Sequence, residues 1–162
     1  MNKAQSVMQV LVFILAGIIF LLIIGYGYKS ISYFLERQEQ VQLADFWNDL
    51  ETSIESIRRQ PGTVRKVQLP LPSKYAGVCF FDKQTCGQGA KLKTPNRVID
   101  MSWASDACRR TKSNVFVFPR VGGEPSLDIS VSPPGYVCIP NSGGITVRVE
   151  GLGRSAKVSE WE

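Results

Sequence analysis

Residues 8–24 read MQVLVFILAGIIFLLII, and no charged side chain stands between Lys3 and Lys29. Gln9 is the only strongly polar member of that run. A bilayer core about 30 Å thick is crossed by roughly 20 helical residues rising about 1.5 Å each, so the stretch predicts a membrane-spanning helix. The run is too long for a buried helix in so small a chain. A secretory signal competes for the same residues, but its apolar part spans about 7–15 residues and ends in a small-residue cleavage site. Here Gly25-Tyr26-Gly27-Tyr28-Lys29 follows, the pattern of an interfacial aromatic anchor, and the helix is expected to be retained. Lys3 and the amino group on one side, against Lys29 and the Glu36-Arg37 pair on the other, favour a cytoplasmic N-terminus.

Further along, Ile31, Phe34, Leu35, Leu43, Phe46, Trp47, Leu50, Ile54 and Ile57 recur at three- and four-residue steps among Glu and Gln. That is a helical period. Pro61-Gly62 ends it, because proline lacks the amide and glycine suits a helix exit. One helix over residues 5–60 would extend about 84 Å at about 1.5 Å per residue, far beyond a bilayer. Phe46, Trp47, Leu50, Ile54 and Ile57 are expected to pack against the chain's own globular part.

Lys3-Ala4-Gln5 stands directly before the apolar run and resembles the class III leader of archaeal type IV pilins and archaellins. The resemblance is confined to the leader and the hydrophobic helix. It implies that a prepilin peptidase removes residues 1–4, cutting between Ala4 and Gln5. It further implies that Met8, Gln9, Phe13, Gly17, Phe20 and Ile24 enter first the membrane and then the core of a filament. In such a core the helices of many copies bundle without lipid. Ala16, Gly17, Gly25 and Gly27 permit close approach there, and Gln9 can hydrogen-bond across a helix contact. Gln9 occupies the fifth mature position, where bacterial type IV pilins usually carry Glu. Homo-oligomerisation through this helix, dependence on a pilus assembly machinery, surface adhesion and an immunoglobulin-like head all follow from the resemblance alone.

After Pro61 the period changes to two, in short runs rich in β-branched and aromatic residues set between Gly, Pro, Asn and Ser. Candidate strands are 64–69, 78–81, 97–101, 114–118, 127–131, 136–139, 145–150 and 156–160. The alternation over 145–150 is the clearest, and Asn141-Ser142-Gly143-Gly144 before it reads as a turn. The fold class expected is therefore α+β: a long N-terminal transmembrane and stalk helix over 5–60, then a small antiparallel β-sandwich over 61–162.

Cys79, Cys86, Cys108 and Cys138 all lie in the β region. An even count in a domain of this size points to disulfides and an oxidising compartment. Of the three possible pairings, Cys79 with Cys86 and Cys108 with Cys138 is the expected one, on sequence proximity across Asp82-Lys83-Gln84. Zinc sites usually place paired ligands about two to four residues apart, and no Cys pair here has that spacing; a Cys-x-x-Cys redox motif is missing as well.

The chain contains no His, which removes the commonest general base and every Ser-His or Cys-His nucleophile pair. Asp100, Ser102, Asp106 and Glu124 are the remaining catalytic candidates, and a loop or short helix with a capping Asp or Ser accounts for the segment more simply. Gly122-Gly123 and Gly143-Gly144 lack the Lys and helix of a phosphate loop, so no cofactor is implied and a non-enzymatic chain is expected. Charge is uneven: residues 29–60 hold four basic and six acidic side chains, residues 61–162 fourteen basic and eight acidic. Lys83, Lys91, Lys93, Arg97, Arg109, Arg110 and Lys112 cluster in sequence, read either as a solvated face or as contact with DNA or anionic surface polymers. The leading expectation is a filament subunit. An uncleaved, membrane-anchored binding or scaffold module of the cell envelope is the alternative.

Overall fold

The computed structural model describes residues 3–161, without the side chains of 3–10, 32 and 34–37. Its elements run α1 (Lys3–Arg58), β1 (Val64–Leu69), β2 (Gly77–Phe81), β3 (Lys91–Lys93), β4 (Val98–Asp100), α2 (Ser102–Arg110), β5 (Val115–Phe118), β6 (Ile129–Val131), β7 (Tyr136–Pro140), β8 (Ile145–Gly151) and β9 (Ala156–Glu160). The class is α+β, a long helix followed by mostly antiparallel sheet. Compact units divide the chain into Met1–Val41 and Gln42–Glu162. The last turns of α1 thus belong with the strands.

Within the second unit the strands form a four-stranded sheet in the order β1-β8-β9-β6, a three-stranded sheet β5-β2-β7 and the pair β3-β4. Phe46, Leu50, Ile54 and Ile57, at steps of four, four and three, are fully or almost fully buried and share one apolar cluster with residues of both larger sheets. Val67, Val147, Val149 and Val158 enter it from the first sheet, and Val78, Phe80, Val115 and Val117 from the second. The expected packing of the helix stripe is therefore met from Phe46 onward, while Phe34 and Leu35 lie outside the described side chains.

Three features differ from the reading of the sequence. The β6–β9 pair is parallel, Ile129 opposite Ala156, not antiparallel; β7 and β8 intervene between them, a connection long enough for the crossover that parallel strands require. Strand β2 does not alternate, since all five of its residues are buried. It is the middle strand of its sheet: Val78 and Phe80 face the first cluster, while Cys79 and Phe81 face a second, with Leu92, Ile99, Met101, Ala104 and Phe116. That second cluster is closed over by β3, β4 and α2: β4 falls within the expected strand 97–101 and α2 on the segment read as a loop or short helix, so β3 alone is unexpected. The sequence KLK is too short to show a period.

The end of α1 is stitched to the β8–β9 turn. Gly62 N–H donates to Gly151 C=O, Gly151 N–H to Thr63 C=O, and Gly153 N–H to the helix carbonyl of Arg58 at 3.0 Å. A Cβ at Gly151 would run into the carbonyl oxygens of Ile57 and Gln60, so only glycine admits this approach. Arg58 adds charge to the same junction, bonding Glu55 at 2.8 Å and Asp128 at 3.1 Å, and Lys83 meets the other oxygen of Asp128 at 3.1 Å.

Asn114 is the main polar group in the core, with no exposed surface. Its Nδ2 donates to the carbonyls of Phe81 at 3.1 Å and Leu127 at 3.0 Å, and its Oδ1 accepts from Leu127 N–H at 2.8 Å. The side chain thus ties the end of β2 to the segment entering β6. Asn114→Leu strips all three bonds and leaves Leu127 N–H without its partner, at a cost of about 3 kcal/mol. Thermal melting of the full chain in neutral detergent is expected to fall by about 15 °C; an unchanged midpoint would mean that the bonds do not matter to stability.

The cysteine pairing expected from proximity is overturned. Cys79 bridges Cys138, and Cys86 bridges Cys108. Register decides the first pair, because Cys79 on β2 stands directly opposite Cys138 on β7, with Cα atoms 4.0 Å apart. Turn chemistry decides the second. Asp82 Oδ1 accepts the N–H groups of Gln84 and Thr85, Asp82 C=O accepts that of Cys86, and Cys86 takes a positive φ of 40°. Its sulfur then meets Cys108 on α2, not Cys79.

Candidate functional site

Of the first unit, Leu11–Ile31 is the segment with chemistry to offer. It is a 21-residue span of mean hydropathy 2.5, and none of it is buried within the chain. Phe13 is 72% exposed and Phe20 63%. Among the described residues, one helix is thus long and apolar enough to cross a membrane. Gly25, Tyr26, Gly27 and Tyr28 lie within it in unbroken helix, and an added Cβ at Gly17, Gly25 or Gly27 would meet nothing within 4 Å. These glycines therefore perform no packing task inside the chain.

The residues singled out by sequence fall into two groups. The side chains of Ala4, Gln5, Met8 and Gln9 lie outside the described residues, although their backbone is part of α1. Phe13, Gly17, Phe20 and Ile24 are all exposed. Their spacing of four, three and four residues places them on one face of the helix, and Gly27 and Ile31 extend that face with the same alternation. This seven-residue repeat was readable in the sequence by counting steps, but a run apolar on every side conceals it.

Among the described residues, Asp100, Asp106 and Glu124 do not come together as a metal-holding cluster of three carboxylates. Asp100 is exposed, and its Oδ1 accepts the backbone N–H of Ser102 at 2.9 Å, which starts α2. Asp106 is exposed on α2, while Glu124 sits 3.7 Å from the Arg120 Nε. All four cysteine sulfurs are engaged in disulfides. A surface groove of about 630 Å³ lies on the β1-β8-β9-β6 sheet, lined by Val64, Arg148, Glu150, Lys157 and Trp161 among others. Its charges alternate in sign, and Lys66 Nζ stands 5.4 Å from the Trp161 ring. No protein-family profile, curated protein or solved structure matches the chain.

The basic run is redistributed by the fold. Lys83 is held by Asp128 at the helix junction. Lys91, Lys93, Arg97, Arg109, Arg110 and Lys112 remain exposed on β3, the β3–β4 turn and the end of α2. These residues lie between β2 and β5 in the chain; the Cys86–Cys108 bridge closes the loop that contains Lys91, Lys93 and Arg97, and Arg109, Arg110 and Lys112 directly follow its second cysteine.

Proposed function

We propose that this chain is the structural subunit of a type IV pilus-like filament, made as a membrane-anchored precursor and processed between Ala4 and Gln5. The observation that carries the reading is the wholly unburied, 21-residue apolar span of α1, joined without a break to turns whose Phe46, Leu50, Ile54 and Ile57 are spent on the second unit's core. An apolar surface of that extent needs lipid or other apolar helices around it. A helix apolar on all sides is satisfied by a bilayer before assembly and by a bundle of identical helices after it.

In this reading residues 13, 17, 20, 24, 27 and 31 form the seam between neighbouring helices, with glycines at two of the six positions to bring backbones close. The N-terminus faces the cytoplasm, and the disulfides support an oxidising, extracytoplasmic location for the strands. We take the head as an immunoglobulin-like or related sandwich whose layers are β1-β8-β9-β6 and β5-β2-β7; their shared apolar cluster supports this. The subunit is non-catalytic. An adhesive role would reside in the head's exposed surface.

The test is the intact mass and N-terminal sequence of the protein recovered, without reducing agent, from surface and membrane fractions of its native host. The expected product begins at Gln5, lacks four thiol hydrogens and is found in sheared filaments. A chain that begins at Met1 and stays wholly in the membrane overturns the filament reading in favour of an anchored binding or scaffold module.

A further inference from the structure

The charge of the β region is concentrated on one small piece of it. Residues 86–112 hold six basic and two acidic side chains, whereas the rest of 61–162 holds eight basic and six acidic. Fold and cross-link make this piece a built feature. Leu92 on β3 and Ile99 on β4 pair in register and point inward, as do Ala104 and Cys108 of α2. Their outward neighbours Lys91, Lys93, Arg109 and Arg110 are exposed, with Arg97 and Lys112 beside them. Ser105 Oγ donates to Gly87 C=O at 2.6 Å, and Met101 N–H to Ala90 C=O at 2.9 Å. With the Cys86–Cys108 bridge, these bonds hold helix and hairpin together as a cap over the β5-β2-β7 sheet.

None of the six cationic side chains makes an ion pair or a ring contact among the described residues. Of the two acids, Asp100 spends one oxygen on Ser102 N–H. Six unpaired cations held on a cross-linked scaffold repel one another until an anion neutralises them.

The chemistry of the surroundings selects among anions. A sugar polymer is gripped by aromatic platforms and hydrogen-bonding side chains, but Trp103, the cap's aromatic residue, is edge-on to Phe116 at 5.7 Å and lies under Arg120 at 5.3 Å. A lipid surface is gripped by charge together with an apolar wedge, and Val98 is the cap's one exposed large apolar residue among those described. Recognition here is by charge alone, which favours the polymer of highest charge density. Duplex DNA carries one negative charge per about 1.7 Å of axis and releases condensed counterions when cations replace them.

We propose that the disulfide-braced cap, residues 86–112, is a docking surface for the phosphate backbone of duplex DNA, without preference for base sequence. The inference stands whether the chain is a filament subunit or an uncleaved anchor.

The experiment titrates a fluorescent 24-base-pair duplex with the full chain in neutral detergent across a range of NaCl concentrations. With six phosphates neutralised, log K against log salt is expected to slope by about −5, a loss of roughly 10³ in affinity between 50 and 200 mM. Two duplexes of unrelated sequence are expected to bind alike. The variant Lys91→Gln/Lys93→Gln/Arg109→Gln/Arg110→Gln is expected to flatten the slope to about −2. The control Arg65→Gln/Arg148→Gln/Arg154→Gln/Lys157→Gln, equal in charge removed, keeps the parent slope. Both retain the parent melting temperature. Equal losses in the two variants would mean that net charge, not the cap, binds DNA. A slope near zero, or tighter binding at equal charge to phosphatidylglycerol vesicles or polygalacturonate, overturns the proposal.

Discussion

Replacing Cys79 and Cys138 together by alanine lowers the stability of the β region by about 4 kcal/mol, from the chain entropy that a loop of this length restores to the unfolded state. The bridge spans 59 residues, against 22 for Cys86–Cys108, whose loss is expected to cost about 3 kcal/mol by the same reasoning. Thermal melting of the full chain in detergent should fall by about 20 °C for the first double variant. Connectivity itself is checked without any variant. Trypsin cuts after Lys83, which separates Cys79 in peptide 75–83 from Cys86 in peptide 84–91. Under non-reducing conditions 75–83 is expected to be joined to 121–148, and 84–91 to 98–109. Recovery of 75–83 joined to 84–91 would refute the register-based pairing outright.

Two arginines in the middle of the apolar span, Ile18→Arg/Leu22→Arg, are expected to release the chain from membranes, whereas Leu21→Arg alone does not. The magnitudes decide this. A Leu, Ile, Phe or Val near the centre of a span contributes about −0.3 to −0.6 kcal/mol to insertion, and an Arg costs about 2.5–3.5. The thirteen such apolar residues of Leu11–Ile31 together supply roughly −4 to −8 kcal/mol. One arginine leaves the balance favourable; two cancel it. Carbonate extraction of membranes reads the outcome, with the double variant in the supernatant and the single variant in the pellet. A single variant that stays in the membrane yet is missing from sheared filaments would support helix-to-helix packing, because a bundle offers an arginine no route to water. If the double variant also stays in the pellet, the span is not what anchors the chain.

The legible parts of this protein are those whose pattern is sustained over many residues or several alternations. The membrane-length helix declares itself by length and composition, and the stripe from Phe46 to Ile57 by its three- and four-residue steps. Strands β1 and β9 lie where alternation put them, and Pro61-Gly62 marks the helix exit within two residues. What stayed hidden depends on tertiary neighbours. The KLK strand exists because Leu92 finds Ile99 and a roof over Phe116. Cys79 chooses Cys138 because β2 and β7 pair in one register, information that sequence separation does not carry. The basic run was visible, but it took the fold to divert Lys83 to Asp128 and gather the other six on a cross-linked cap.

The parallel partnership of β6 and β9 has a consequence for how the protein is made. Strand β9 lies inside its sheet, hydrogen-bonded to β8 on one side and β6 on the other, while β1 pairs with β8, some eighty residues downstream (Val64 opposite Glu150). A chain emerging N-terminus first therefore delivers its apolar helix long before either edge of that sheet can join. Strand β1 waits with an unpaired backbone until β8 is complete at Gly151, and β6 until β9 is complete at Glu160. The stretch from Gln42 onward must be kept from premature association with neighbours during that interval, and in the membrane-anchored reading proposed above tethering, which separates nascent copies in two dimensions, is one physical means of doing so.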